Sequence, residues 1–191
     1  MSIVGINFNG PISHPATTKL RNVLCGAVNE RLPNGTRKFD EIYLFLNSGG
    51  GSVEDGVGLF GFLSVLPLPV ATVNVNLVAS ISIVPFLAGK KRIALPHAKF
   101  HFHDFEWNYA AAHNMTRPEY LDHTQLLDSG RATALQILKE NTSLTEGDFK
   151  GLKLMEVPLI KGADFAKEKG IVQEIKHVTI PEDAVIFNVD Y

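Results

Sequence analysis

The sequence predicts an α/β fold with repeated strand–helix crossovers, and three features carry that reading. Runs of strand length alternate with helical stretches through the first half of the chain, the pattern of βαβ units. Ile42 to Leu46 is a short continuous apolar run, which suits a parallel strand covered on both faces. The run then breaks at Asn47-Ser48-Gly49-Gly50-Gly51-Ser52, a glycine-rich turn leading into helical sequence. The 191 residues are enough to bury a substantial core. No repeat, low-complexity tract or linker divides them, so residues 1–191 are expected to form a single domain.

Each element follows from local chemistry. Ile3 to Phe8 reads as the first strand and Thr17 to Asn29 as a helix, followed by a polar Pro-Asn-Gly loop. Ser52 with Asp55 three residues on is a capping pair for a helix starting at Val53, and Pro67 and Pro69 stop it. Val70 to Val75 is the next strand, and Ala79 to Ala88 a short buried helix containing Pro85. Arg92 to Leu95 and Lys99 to His103 are further strands. The second alternates, with Phe100 and Phe102 on one face and His101 and His103 on the other. Thr116-Arg117-Pro118-Glu119 starts a long helix to about Glu140. Ser143 with Glu146 starts another, and Ala163 to Lys169 is a third, closed by Gly170. Ile171 to Ile175 returns as a strand, and the tail ends in a strand over Ala184 to Val189.

Composition narrows the function. Hydrophobic residues make up 45% and charged residues 20%, with a formal net charge of −2. There is no basic excess for nucleic acid and no polybasic run for a membrane. The apolar stretch Val70 to Leu87 is interrupted by Asn74, Asn76, Ser80, Ser82 and Pro85, so it is not a span. The one cysteine, Cys25, forms no internal disulfide. With no signal-peptide pattern at the N-terminus, a cytoplasmic location is expected.

Three clues point to chemistry. The glycine turn before a helix allows close backbone approach, yet it has neither phosphate-loop spacing. In Asn76-Leu77-Val78-Ala79-Ser80-Ile81 a strand gives way to a helix, which exposes a hydroxyl beside a backbone N–H. His103, near the end of its alternating strand, can act as general base for that hydroxyl. His97, His101, His103 and Asp104 lack a further well-spaced ligand, so no metal is expected. Nor is any other cofactor. The stripe Tyr120, Leu127, Ala134 and Leu138 suits packing or subunit contact.

These segments together resemble the proteolytic subunit of Clp protease, within the ClpP/crotonase superfamily. Leu46 to Val53 is similar to its Asn-Ser-Pro-Gly-Gly segment. Val78 to Ser82, running without a gap to Ala88-Gly89, is similar to its Ala-Ala-Ser-Met-Gly nucleophile segment. Leu95-Pro96 with Lys99 to His103 resembles its Leu-Pro…Ile-His segment, and Ala163 to Val172 its Ala-x-x-Ala-x-x-x-Gly-Leu-Val ending. The resemblance covers roughly Ile3 to Glu174. It implies an α/β superhelix of repeated ββα units with a protruding handle helix at about 116–141 and a C-terminal tail at about 176–191. It also implies serine peptidase activity, with Ser80 as nucleophile, His103 as base and the N–H groups of Gly51 and Ile81 as oxyanion hole. Gly50, Gly51 and Ser52 would be the edge on which an extended peptide adds as a strand. The implied partners are a peptide or unfolded protein as substrate and further copies of the chain in a homo-oligomeric ring.

The sequence also departs from the family pattern. Counting back from Ala163 puts Leu154 where the family's triad aspartate is expected. Glu156 is the nearest acid, with Asp148 available across a loop. Ser82 stands where the family has glycine, and Asp104 to Ala112 lacks its Pro and Gly-Gly pattern. The chain begins almost at the first strand, so the resemblance does not extend to the loops that meet an ATPase unfoldase, and dependence on such a partner is not supported. A catalytically impaired ring or scaffold, and a crotonase-like enzyme acting on an acyl-CoA, are the alternative functions. The in-register Ser80 and His103 and the lack of a basic cluster for CoA phosphates weigh against the latter.

Overall fold

Parallel pairing organises the computed structural model, which describes residues 2–104, 116–153 and 156–189. Strands β1 (Ile3–Asn9), β2 (Glu41–Ser48) and β3 (Val70–Ala79) lie side by side and parallel. In β2, Ile42, Leu44 and Leu46 are fully buried, while Tyr43 and Phe45 are half-buried. The strand is therefore more one-sided than its continuous apolar run implies. Its buried face joins Val4, Ile6 and Phe8 of β1 and Ala16, Leu20 and Leu24 of the first helix in a single core.

The ten-residue β3 forks along one edge. Its first half, Ala71 to Asn74, pairs with β4 (Lys91–Ala94), and its second half, Leu77 to Ala79, pairs with β5 (Lys99–Phe102). The buried Asn74 sits at the fork. Its amide donates to Lys99 O at 2.9 Å and accepts from Asn76 N at 3.1 Å, while its backbone carbonyl takes Leu95 N at 3.0 Å. A buried asparagine thus satisfies the main-chain groups that the change of partner strand leaves open.

The sheet continues in the order β6-β5-β3-β2-β1-β8, with β4 also pairing β7 (Glu174–Ile175). β6 (Leu159–Gly162) runs antiparallel to β5, and β8 (Val185–Val189) lies parallel to β1 as the terminal segment predicts. The sequence reading contains no β6. At four residues ending in glycine it is too short to show a period. The strand expected over Ile171 to Ile175 shrinks to Glu174–Ile175.

Helix α1 (His14–Asn29) starts three residues earlier than read, because Ser13 and Pro15 supply the N-cap and first-turn positions. α2 (Val53–Ser64) is capped as read: Ser52 Oγ accepts from Asp55 N at 3.2 Å. The segment after β3 is a 3-10 turn, Ser80–Ser82, followed by α3 (Ile83–Leu87). Pro85 fits there because a first-turn residue has no intrahelical use for an N–H. α4 (Arg117–Asn141) carries the predicted capping box between Thr116 and Glu119. Ala134 and Leu138 are in the core, whereas Tyr120 is 58% exposed, so the apolar stripe packs at one end and projects at the other. α5 (Glu146–Leu152) is capped by Thr145 and Asp148 rather than by Ser143 and Glu146. α6 (Ala163–Glu168) ends at Gly170, which has φ 67.

Arg92 on β4 ties several helix ends together. Its guanidinium donates to Leu87 O (3.4 Å), Asn141 O (3.2 Å), Gly170 O (3.0 Å) and Ile171 O (2.9 Å). Leu87 closes α3, Asn141 closes α4, and Gly170 follows α6.

Candidate active site

Parallel strands present their carboxyl ends as the usual place for chemistry, and the candidate residues gather there. β3 ends at Ala79, and the backbone turns at once into the 3-10 turn beginning with Ser80. Ser80 has φ 55, one of two non-glycine residues with positive φ among the described residues. Holding a residue with a Cβ in that region costs on the order of 1 kcal/mol or more, and surrounding structure must impose it. Two neighbours do so here.

The first neighbour is the glycine strand. Gly50 has φ 99, and a Cβ built on it would lie 2.6 Å from Ser80 Cβ and 3.0 Å from Ala79 O. Only glycine lets the two backbones come this close. The second is Ser82, which is fully buried. Its Oγ accepts from Ala79 N at 2.9 Å and lies 2.6 Å from Ala79 O and 3.2 Å from Ser48 O. One hydroxyl therefore clasps the Ser80 turn and ties it to the glycine strand. The departure from glycine at position 82 has a structural purpose that the sequence alone does not reveal.

Gly51 is bridged in parallel to Ile12: Ile12 N donates to Gly50 O and Ser52 N donates to Ile12 O, both at 2.8 Å. The edge groups of Gly50 and Ser52 that the resemblance assigns to a substrate strand are thus used by the chain itself. Backbone groups alternate sides along a strand, so the N–H and C=O of Gly51 face away from Ile12. A cleft of about 490 Å³ lies beside this bridge, lined by residues that include Ile12, His14, Gly51, Asp55 and Leu127. Ile81 N–H lies in the opening of the 3-10 turn, where N–H groups have no intrahelical acceptor.

His103 comes to the same end of the sheet through register. Phe100 and Phe102 are fully buried, and His101 and His103 are half-buried, as the alternation predicts. Ala79 pairs with His101, so Ser80 and His103 both lie just past the ends of adjacent strands, and such strands are about 4.8 Å apart. The rings of His101 and His103 are 5.1 Å apart. His103 Nδ1 lies 2.7 Å from Asp104 O. A carbonyl only accepts, so Nδ1 carries the proton and Nε2 keeps its lone pair. Among the described residues no hydrogen bond joins Ser80 Oγ to His103. Catalytic hydrogen bonds are often long before substrate draws them together.

The candidate acids lie as follows. Glu156 is exposed in the turn before β6, and no hydrogen bond or ion pair joins its carboxylate to His103 among the described residues. Asp148 is engaged in the cap of α5 and lies 2.7 Å from Lys169 Nζ. The hydrogen bond from Lys169, and then those from Thr145, hold its carboxyl well below the ordinary 3.8, at about 2. Leu154 and the segment 105–112 lie outside the described residues.

The lowered carboxyl makes a prediction. A depressed folded-state value contributes stability in full above the unfolded value and loses it as pH falls through the folded one. Acidification from about pH 4 to about pH 2 will therefore lower the melting temperature of the natural chain more than that of Asp148→Asn. Parallel melting curves in that range would rule the pair out.

A strained serine between a parallel strand and a helix, backed by a glycine strand and flanked by a histidine-bearing strand, defines an α/β protein with a serine turn at the carboxyl end of its parallel strands. The model of the Clp protease family matches residues 33–179, and the chain belongs to that family. Its fold is that of ClpP: a mutant ClpP1 from Listeria monocytogenes superposes with a TM-score of 0.73 at 22% identity, covering 91% of each chain. An ATP-dependent Clp protease proteolytic subunit of Cucumis sativus is 34% identical over 102 residues, covering 52% of this chain and 51% of its own. Proteolytic subunit 2 of Cutibacterium acnes is 38% identical over 84 residues, covering 43% and 39%. The matched stretches thus span about half or less of these relatives. No helix among the described residues is long and apolar enough to cross a membrane.

Proposed function

We propose that the chain is a serine peptidase that cleaves peptide bonds through an acyl-enzyme. The observation that carries this reading is Ser80 at φ 55, held against Gly50 beside the strand that leads into His103. Ser80 Oγ attacks the substrate carbonyl carbon while its proton passes to His103 Nε2. The carbonyl π electrons move to oxygen, and the N–H groups of Gly51 and Ile81 receive the oxyanion. Collapse breaks the C–N bond as His103 returns the proton to the leaving amine. Water, deprotonated by the same imidazole, then releases the acid. The C=O of Gly51 accepts from the extended substrate, with Ile12 as its fixed neighbour on the other side. Substrates are peptides or unfolded segments. The projecting Tyr120, Leu121 and Leu126 of α4 supply apolar surface for contact between copies in a homo-oligomer.

A fluorophosphonate probe tests this directly. Mass spectrometry should find the adduct on Ser80, absent in Ser80→Ala and reduced in His103→Gln. Folded protein that takes no label, or takes it elsewhere, refutes the peptidase and leaves a scaffold with the same fold.

A further inference from the structure

We propose that the main-chain carbonyl of Asp104, steadied by an ion pair with Arg131, takes the orienting place of a third acidic side chain, so that Ser80 and His103 work as a pair. The inference rests on the peptidase reading above and deepens it. A general base needs one ring nitrogen held by a partner so that the other faces the nucleophile. The 2.7 Å contact from Nδ1 to Asp104 O meets that need without a carboxylate.

Among the described residues no carboxylate is bonded to the imidazole. β5 and β6 are antiparallel with Phe102 opposite Leu159, so one step further sets Pro158 across from His103. Proline offers neither a titratable group nor a side-chain acceptor. Asp148 serves α5 and Lys169. Glu156 lies two residues before Pro158, exposed and unconnected to the imidazole by any bond among the described residues.

Asp104 also makes an ion pair. Its Oδ1 lies 3.4 Å from Arg131 Nε on α4, without the alignment of a hydrogen bond. Both side chains are over a third exposed, so the pair contributes little stability. Its effect is positional: it joins the residue whose carbonyl holds His103 to the long helix α4. Arg131 is therefore a positioning residue, acting through Asp104 on the imidazole. A carbonyl fixes the tautomer but carries no full charge, so it stabilises the imidazolium less than a carboxylate does.

Imidazole nitrogen-15 spectra of the full chain test this, because protonated and bare ring nitrogens differ in shift; His103→Gln assigns the signal. At a pH where the ring is neutral, His103 should show a protonated Nδ1 and a bare Nε2, unchanged in Glu156→Gln and Asp148→Asn. In Arg131→Met the two tautomers should mix. There kcat on short peptides should fall roughly 10- to 100-fold with little change in KM, and Arg131→Lys should largely restore both readouts. A bare Nδ1, or a tautomer that responds to Glu156→Gln, overturns the proposal. So does Arg131→Met with spectrum and kcat unchanged. Ser80 labelling together with a bare Nδ1 sinks the positioning alone. A protonated Nδ1 in folded protein that never labels sinks the peptidase reading and, with it, this role.

Discussion

Gly50→Ala will reduce peptide hydrolysis by about 10²-fold or more and suppress labelling of Ser80, in protein that remains folded. The new methyl would sit 2.6 Å from Ser80 Cβ, 3.0 Å from Ala79 O and 3.2 Å from Ser80 Oγ. The two nearest cannot yield by rotating a flexible side-chain end, because Ser80 Cβ is fixed to its own backbone and the oxygen is the main-chain carbonyl of Ala79. Ser80 must shift, and a displacement near 1 Å is enough for a 10²-fold loss. Alanine also pays for the left-handed conformation at φ 99. Gly35→Ala separates the two effects. Gly35 has φ 83 but nothing within 4 Å of the added Cβ, so it carries the backbone cost without the collision. It should lower the melting temperature slightly and leave hydrolysis intact. If Gly50→Ala hydrolyses within a few-fold of the natural chain, the close packing of Gly50 on Ser80 has no catalytic meaning.

That same contact marks the boundary of what the sequence could tell. Local periodicity placed His103 on a face with His101 and opposite two buried phenylalanines, because a strand's period is a property of neighbouring residues. The glycine turn and the serine at a strand end were legible for the same reason. The mutual approach of Gly50 and Ser80 was not, since thirty residues separate them. Ser82 is the sharper case: as a letter it only breaks the family pattern, and its clasp on Ala79 and Ser48 exists only once β2 and β3 are paired.

Helix starts show how tertiary contacts decide between equal local signals. Ser143 with Glu146 and Thr145 with Asp148 both fit a capping box, two residues apart. The chain uses the second because Ser143 N is already bonded to Lys169 O at 2.8 Å, and Lys169 in turn grips Asp148. The acid that orients the histidine was sought among carboxylates near Ala163 by counting. A main-chain carbonyl next to His103 leaves no mark in composition or spacing, so no reading of side chains could have chosen it.

Arg92→Met will destabilise the chain by about 3–5 kcal/mol, a large fraction of a typical domain's margin of about 5–15 kcal/mol. The last carbonyls of a helix have no partner inside it, and the aligned peptide dipoles make that end negative. Here the ends of α3 and α4 and the exit of α6 converge on one guanidinium, which donates to four carbonyls. Burial lowers the arginine's pKa, but a guanidinium keeps its proton in a protein, so the charge stays where the helix ends need it. Methionine fills much of the stem's volume and donates nothing, leaving each carbonyl to find water or go unpaired at about 1–3 kcal/mol. Arg92→Lys should recover little, because one compact ammonium cannot reach acceptors spread around a planar fork. For a chain of this size the loss corresponds to a fall in melting temperature of about 10 °C. The fall should be accompanied by faster hydrogen exchange at the ends of α3 and α4, the elements that carry the Ser80 turn and Arg131. If Arg92→Met melts within about 2 °C of the natural chain, the helix ends are held by their packing alone and the convergence on Arg92 is incidental.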